Sequence, residues 1–331
     1  MKRINGFIDL EDFFLKDNED VSELDSSLRS IKNNYLRFQF EMDGKLVFFK
    51  RVGGLEFNEL LVEEICKYLG IPCAHYDLAT YKGVDGVISF DFKSADCRYV
   101  DGYTIVKDYY NYLYDTNQLE LLGIDYYKEN DLSRRTINKD GFVSIDEYPD
   151  FMNNLEVIWA SLDYRYRDYE NKNQIVSNIM NGLLKKKYLD YLLKQRDSHF
   201  HNWMVEESIN TCRLAPLYDN SLLLSYRKKD EFNKFPTSYR EDWELPSMYD
   251  DLKDFFTISE SSHIEDFIEM FNKLDLEAFD ICFKKAIERT GYVPNENYKN
   301  ELYRNFERHR NQVLSIINDY YNNLSRWLYG Y

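Results

Sequence analysis

The hydrophobic periodicity of this chain changes once, near residue 100, and that change limits the possible folds more than any other feature. Residues 35–51 contain two β-rich runs separated by Met42-Asp43-Gly44, a pattern that predicts a β-hairpin. Residues 75–92 predict a second hairpin, with its turn at Gly83 to Gly86. Beyond residue 100, apolar residues recur at helical spacing. The helices predicted there are 103–121, 153–170, 172–194, 262–274, 276–290 and 297–327.

One helix is predicted inside the strand-rich part, over residues 57–70, and Gly70 supplies its end. Its apolar stripe consists of Leu61, Val62, Ile65 and Leu69. A strand-rich front followed by a helical back predicts an α+β protein of two lobes. We place a small β-rich lobe with one helix at residues 1–95 and a larger, α-helical lobe at residues 96–331.

The composition excludes several classes of protein. The chain has 58 acidic and 42 basic side chains among 331 residues, a formal charge of −16, so we expect no direct nucleic-acid binding. No apolar run approaches the roughly 18 residues of a membrane-spanning helix, and residues 1–20 lack the apolar core of a secretory signal. The five cysteines form no C-x-x-C pair, which is typical of reduced thiols. We therefore expect a cytoplasmic protein without a membrane partner.

The segment 185–226 carries the residues that point to chemistry. Its pattern predicts a helix, a polar loop, a strand, a turn and a second strand. Asp197 and Asn202 lie in the loop, and Asp219 follows the second strand. These oxygen-bearing side chains can converge on one point if the two strands form a hairpin. Magnesium prefers ligands of this kind, taking one or two carboxylates together with the phosphates of a substrate.

The spacing of these residues is more specific than their chemical type. Asp197 and Asn202 have the D-x-x-x-x-N spacing of the protein-kinase catalytic loop, where the Asp accepts the proton of the substrate hydroxyl and the Asn holds a metal ion. In that fold an acidic residue farther along binds the metal ion that bridges the β- and γ-phosphates. Asp219 is placed for that role.

A kinase also requires a lysine on a strand and a glutamate on the next helix. Lys50 lies on an apolar strand, with the adjacent Arg51 as a competitor, and Glu59 follows in the predicted helix. Glu59 borders the apolar stripe, so it can point inward and pair with Lys50, whose ammonium then meets the α- and β-phosphates. Glu63 is the alternative partner.

Three motifs resemble the HipA-like serine/threonine kinases. The first is D-S-H-F-H-N at 197–202, which fits D-x-H-x-x-N, a pattern also found in phosphatidylinositol kinases. The second is L-A-P-L-Y-D-N at 214–220, in which Y-D replaces D-F-G. The third, N-E-L-L-V-E-E-I-C-K-Y-L-G-I-P at 58–72, is similar to the family's N-E helix followed by G-I-P. The resemblance covers roughly residues 35–330, and the short length is similar to CtkA-type members, which lack HipA's additional N-terminal subdomain.

The resemblance implies a two-lobed, protein-kinase-like fold that uses ATP and Mg²⁺. It implies that Asp197 is the catalytic base and that Asn202 and Asp219 are the magnesium ligands. It also implies that Lys50 and Glu59 act at the phosphates.

The segment V-I-S-F-D-F at 87–92 is similar to the family's hinge. This likeness implies an adenine site at the backbone of Ile88 and Phe90, with Asp91 at the ribose. The chain departs from the family in the phosphate-covering loop, because the matching residues 25–34 contain no glycine. Either the serines of that stretch lie on a mobile loop, or nucleotide binding is weak; these serines are Ser26, Ser27 and Ser30.

The function expected from these residues is transfer of the γ-phosphoryl group of ATP to a Ser or Thr hydroxyl of a protein, which includes the chain itself as a candidate substrate. One alternative is a lipid or small-molecule kinase of the same fold, although no basic cluster faces a membrane. Another is a pseudokinase that binds nucleotide or a partner protein without catalysis. Some relatives act in toxin–antitoxin pairs, so an antitoxin-type partner is a further expectation.

Three features receive structural interpretations. His199 and His201 have no third metal-ligating residue nearby and are expected to be structural. The run Lys185-Lys186-Lys187 is expected to be a solvated helix face, and the polar stretch 225–250 is expected to be a loop.

Overall fold

The structure is a computed structural model that describes residues 3–11, 37–118, 155–195, 200–209, 211–220, 222–224 and 248–329. The predicted catalytic base Asp197, its neighbour His199 and the three serines of the glycine-free loop lie outside the described residues. Among the described residues, strand residues outnumber helical residues before residue 100, and helices dominate after it. The predicted α+β, two-lobed class is therefore confirmed.

A six-stranded sheet forms the first lobe, with the strand order β1-β2-β5-β6-β4-β3. All of its pairings are antiparallel except that of β2 with β5, which is parallel. Its strands are β1 Arg3–Ile4, β2 Phe7–Asp9, β3 Arg37–Met42, β4 Lys45–Lys50, β5 Tyr76–Tyr81 and β6 Val84–Phe90. The short strands β1 and β2 are not predicted by the sequence, because neither is long enough to show an alternating pattern.

Both predicted hairpins are present in this sheet. Strand β3 pairs with β4 around Asp43 and Gly44, which have positive φ angles of 52° and 71°. Such angles are those of the two-residue turns that match the twist of a hairpin. The β5–β6 hairpin turns at Lys82 and Gly83, with φ angles of 50° and 71°, so its turn starts earlier and is shorter than predicted.

Helix α1, Glu56–Leu69, lies in the chain between β4 and β5 and packs against the sheet. It ends at Gly70, which adopts the left-handed conformation that favours glycine and closes the last turn by donating to the carbonyl oxygens of Cys66 and Lys67. The helix is buried on nearly every side over its first eleven residues, Glu56 to Cys66.

The second lobe consists of helices and a small sheet. Strand β7 Arg98–Asp101 pairs with β8 Met204–Glu207, and β8 pairs with β9 Cys212–Leu214. The helices are α2 Gly102–Asp115, α3 Leu155–Arg165, α4 Lys172–Leu193, α5 Met248–Ile258, α6 Ser261–Lys273, α7 Leu276–Thr290 and α8 Glu296–Tyr329. None of the described helices combines the length and apolarity that crossing a bilayer requires.

The lysine run on α4 contradicts its prediction as a solvated face. Lys186 and Lys187 are fully buried, and each is neutralised by a carboxylate: Lys186 by Asp190 at 2.9 Å and Lys187 by Asp251 of α5 at 2.7 Å. Burying a charge is tolerated only when a partner of opposite sign comes with it. The sequence alone does not reveal that α5 supplies such a partner.

The largest hydrophobic cluster crosses the boundary predicted between residues 95 and 96. It contains the buried face of α1, the end of α4, and residues from each of the four C-terminal helices. Phe57 of α1, for example, packs edge-to-face on Phe283 of α7, with 5.1 Å between ring centroids. The boundary between residues 95 and 96 therefore stays a prediction, and the largest hydrophobic cluster contains residues from both sides of it.

Candidate active site

The ammonium of Lys50 lies between two carboxylates at the junction of the lobes. Lys50 ends β4, and its Nζ donates to Oε1 of Glu59 at 2.7 Å and to Oδ1 of Asp219. The predicted ion pair between Lys50 and Glu59 is therefore present. The two competing residues point elsewhere, because Arg51 is exposed and Glu63 instead binds His75 and Arg289.

The electrostatics of this group are set by burial and by its excess negative charge. Burial alone would lower the pKa of Lys50, but the charges of Glu59 and Asp219 outweigh it and raise that pKa, so the ammonium stays protonated. Complete burial raises the pKa of the Glu59 carboxyl, an effect that Lys50 partly offsets. With one cation and two carboxylates, the ionised group carries a net charge of −1.

Asp219 is brought to Lys50 by a backbone bridge between the lobes. The segment after α1 pairs with Leu217 as an isolated parallel bridge at Cys73. In it, the N–H of Ala74 donates to the carbonyl of Leu217 at 2.8 Å, and the N–H of Leu217 donates to Pro72 at 2.9 Å. The G-I-P and L-A-P-L-Y-D-N motifs are thus joined directly, which the sequence does not indicate.

Two successive amides hold the backbone at Asp219. Its own N–H donates to the hydroxyl oxygen of Tyr76 at 2.9 Å, and the N–H of Asn220 donates to Oε2 of Glu59 at 2.9 Å. Glu59 therefore contacts both Lys50 and the chain after Asp219. Sequence reasoning missed Tyr76 and Asn220, because no local pattern marks a tyrosine on β5 as a partner of a residue 143 positions away.

Asn202 is buried at the end of a short 3₁₀ helix, Phe200–Asn202, directly before Trp203 and β8. The Tyr218 hydroxyl donates to the carbonyl of His201 at 2.7 Å. The residues immediately before Asn202 and Asp219 are thus hydrogen-bonded, so the two predicted magnesium ligands belong to the same region. His201 stacks on Tyr103 with 4.9 Å between ring centroids, in agreement with a structural role.

The donor set suits magnesium better than zinc. No group of three or more His, Cys, Asp or Glu side chains with metal-site geometry occurs within the described ranges. Magnesium does not need such a cage, since one or two protein oxygens and the phosphates of a nucleotide complete its shell. Asp219 supplies an accessible carboxylate, 29% exposed, beside a surplus negative charge, and this matches what a divalent cation would need.

The predicted hinge runs along β6. Ile88 is fully buried, because β6 lies between β4 and β5. The N–H of Phe90 donates to the carbonyl of His75 at 3.1 Å, and that of Asp91 donates to Leu46 at 2.9 Å. An adenine at this strand end would therefore meet carbonyl groups here, or N–H groups beyond Asp91.

Comparisons with known proteins identify the fold of this chain, through solved structures alone. No protein-family model matches the sequence, and no curated protein matches it either. Among solved structures, the Helicobacter pylori proinflammatory kinase CtkA superposes with a TM-score of 0.57 at 16% identity, covering 87% of this chain and 95% of that chain. The chain has the fold of HipA-like kinases.

A second structure with this fold is HipA of Shewanella oneidensis, solved in a toxin–antitoxin complex with HipB and operator DNA. It superposes with a TM-score of 0.51 at 12% identity, covering 88% of this chain and 65% of that chain. The chain therefore spans about two thirds of the length of that HipA and nearly the whole of CtkA. The HipA-like fold predicted from the three motifs is confirmed.

Proposed function

We propose that this chain is an ATP- and magnesium-dependent kinase that phosphorylates a Ser or Thr hydroxyl of a protein. The observation that supports it most is the group formed by Lys50, Glu59 and Asp219, found in a chain with the fold of HipA-like kinases. Three residues from separate parts of the sequence meet there, in the order and on the elements that phosphoryl transfer requires.

Each residue of the group has a definite task in this proposal. Glu59 is completely buried and holds the ammonium of Lys50, which contacts the α- and β-phosphates. Asp219 and Asn202 bind Mg²⁺, which when bound neutralises the charge of the β- and γ-phosphates. Lys50 would exchange its bond with Asp219 for the phosphates when a nucleotide is bound, and the carboxylate of Asp219 would then be free to hold the metal ion.

The remaining roles are also proposals. Asp197 orients the attacking hydroxyl and accepts its proton. Carbonyl groups at the end of β6, or N–H groups beyond Asp91, would meet the adenine, because Ile88 is paired on both sides and the N–H of Phe90 already donates to His75. Asp91 would face the ribose. We propose further that the protein acts in the cytoplasm and that a partner protein of the antitoxin type regulates it, as the HipB in the Shewanella complex suggests.

The proposal is tested by incubating the protein with γ-labelled ATP and Mg²⁺, alone and with a generic protein substrate such as casein. We expect label on serine or threonine, and none in Asp197→Ala. Label in lipid or small-molecule acceptors only would identify a different kinase of the same fold. Magnesium-dependent ATP binding without any transfer would show a pseudokinase.

A further inference from the structure

The backbone at Asp219 adopts the left-handed conformation. Its φ angle is 59°, in a region that is uncommon for residues other than glycine, although aspartate and asparagine enter it more readily than most. Such a conformation persists only where surrounding contacts fix it, and it is concentrated at functional sites. The contacts that can fix it are the two amide hydrogen bonds, from Asp219 to Tyr76 and from Asn220 to Glu59.

Of these two partners, Tyr76 has no other part in the proposed chemistry. Its side chain is 2% exposed and lies in the core cluster shared by the two lobes. Burial raises the pKa of its phenol well above the usual value, and the nearby Glu59 carboxylate acts in the same direction. The hydroxyl oxygen of Tyr76 accepts the amide hydrogen of Asp219 at 2.9 Å.

The position of Tyr76 is itself fixed from both lobes. Its backbone N–H donates to Oε2 of Glu63 on α1 at 2.9 Å. The same carboxylate oxygen accepts from Nη1 of Arg289 on α7 at 2.7 Å. The hydroxyl of Tyr76 is thus held at a set distance from α1, the helix that also carries Glu59.

We propose that Tyr76 is a positioning residue, whose hydroxyl holds the backbone of Asp219 in the left-handed conformation that directs the carboxylate toward Lys50 and the metal ion. The inference rests on the proposed function, because it concerns the residue that would bind magnesium. Tyr76 acts through Asp219 and needs no contact with nucleotide or metal. Without the hydroxyl, the segment would relax toward conformations in which the carboxylate points elsewhere.

The test is Tyr76→Phe, which keeps the ring and its packing and removes only the hydroxyl. Tyr188→Phe is the matched control, because Tyr188 is buried in the same cluster and its hydroxyl has no hydrogen-bond partner within the described chain. The first measurement is hydrogen–deuterium exchange at the amides of Asp219 and Asn220, without nucleotide. We expect exchange to be roughly tenfold faster in Tyr76→Phe, the effect of losing one neutral hydrogen bond, and unchanged in Tyr188→Phe.

The second measurement is the Mg²⁺ concentration that gives half-maximal ATP turnover. We expect it to rise several-fold in Tyr76→Phe, whereas turnover at saturating Mg²⁺ falls less. Unchanged exchange and unchanged magnesium dependence would overturn the proposal, and so would equal effects in Tyr188→Phe. If exchange is faster in Tyr76→Phe but the wild-type protein transfers no phosphate, the role of Tyr76 at the backbone is supported. The proposed kinase function is then rejected, independently of that role.

Discussion

At the scale of single residues, the carboxylate of Asp219 has the most exposed position of the three charged groups that meet in the site. It is 29% exposed, whereas Lys50 is 18% exposed and Glu59 is fully buried. A divalent cation can therefore approach Asp219 from solvent, whereas the buried carboxylate of Glu59 binds Lys50. This division of tasks leads to different expectations for substitutions of the two carboxylates.

Asp219→Asn removes the charge that would bind magnesium and keeps the shape of the side chain. We expect phosphoryl transfer to fall by about 10²-fold or more, the size typical of losing a central electrostatic group. Asp85→Asn is the control, because Asp85 is an exposed carboxylate on β6. Initial rates with labelled ATP measure the effect, and wild-type activity in Asp219→Asn would show that this residue is not the ligand.

Lys50 and Glu59 are in contact, so their substitutions are not independent. Lys50→Ala is expected to weaken ATP use and slow turnover, and Glu59→Gln to do so more mildly. The double variant is expected to lose less than the two single losses combined, because residues in direct contact act as a unit. Steady-state kinetics of the four proteins give the coupling. Lys45→Ala, at an exposed position of β4, serves as the control. Strict additivity would mean that the pair does not act together.

The carboxyl group of Glu63 makes the free energy of unfolding depend on pH. Burial alone would raise the pKa of its carboxyl, but hydrogen bonds from His75 and Lys67 and the charge of Arg289 outweigh it and lower the pKa to about 2. A folded-state pKa below the unfolded value of about 4.3 means that the stabilisation is complete above that pH and disappears as the pH falls through 2.

We expect Glu63→Gln to cost about 2–3 kcal/mol in the free energy of unfolding at pH 7 and roughly half of that at pH 3. Urea denaturation at the two pH values measures it. Glu265→Gln, at an exposed position of α6, should keep the wild-type dependence on pH. An effect of Glu63→Gln that is equal at both pH values would refute this electrostatic explanation.

At the scale of elements, helix α7 fixes helix α1 from the side opposite the sheet. Arg289 of α7 contacts Glu63 at 2.7 Å, the thiol of Cys282 donates to the backbone carbonyl of Glu64 at 3.6 Å, and the Phe57 and Phe283 rings pack edge-to-face. In protein kinases the position of this glutamate-bearing helix controls activity. Here α1 is held by contacts that do not depend on nucleotide.

Removing the Arg289 side chain leaves Glu63 buried next to fewer cations. We expect Arg289→Ala to lower the free energy of unfolding by about 3 kcal/mol, as for a broken buried ion pair, and to reduce turnover through displacement of α1. The loss of stability should be smaller in a Glu63→Gln background. Lys285→Ala, at an exposed position of the same helix, is expected to be neutral. Chemical denaturation and initial rates test this, and full stability in Arg289→Ala would contradict it.

At the scale of the whole molecule, the largest hydrophobic cluster contains residues from both lobes. Because the largest cluster contains α1 and the C-terminal helices, neither lobe can bury all of its apolar surface alone. We expect a single cooperative unfolding transition, with fluorescence and circular dichroism giving the same midpoint. Two separate transitions would show that the lobes fold independently. We expect a fragment of residues 1–95 to be unfolded because it lacks the C-terminal helices of the shared cluster, and fluorescence and circular dichroism test this.

Most of the elements and the order of the chemical groups could be predicted from the sequence. The alternating runs before residue 100, the stripe that ends at Gly70 and the later helical spacing are local patterns, and local patterns fix secondary structure through the periods of strand and helix. The pairing of Lys50 with Glu59 was predictable for the same reason, since the two residues are close in sequence and lie on adjoining elements.

The contacts between side chains far apart in the sequence could not be predicted and are visible only in the folded chain. The burial of Lys186 and Lys187 depends on carboxylates that α4 and α5 bring together, and the amide of Asp219 is hydrogen-bonded to a tyrosine of the other lobe. Ion pairs and hydrogen bonds between elements allow polar and charged side chains to be buried, although their residue types alone would predict exposure to solvent. Such contacts arise from packing between segments far apart in the chain, and no period in the sequence encodes them.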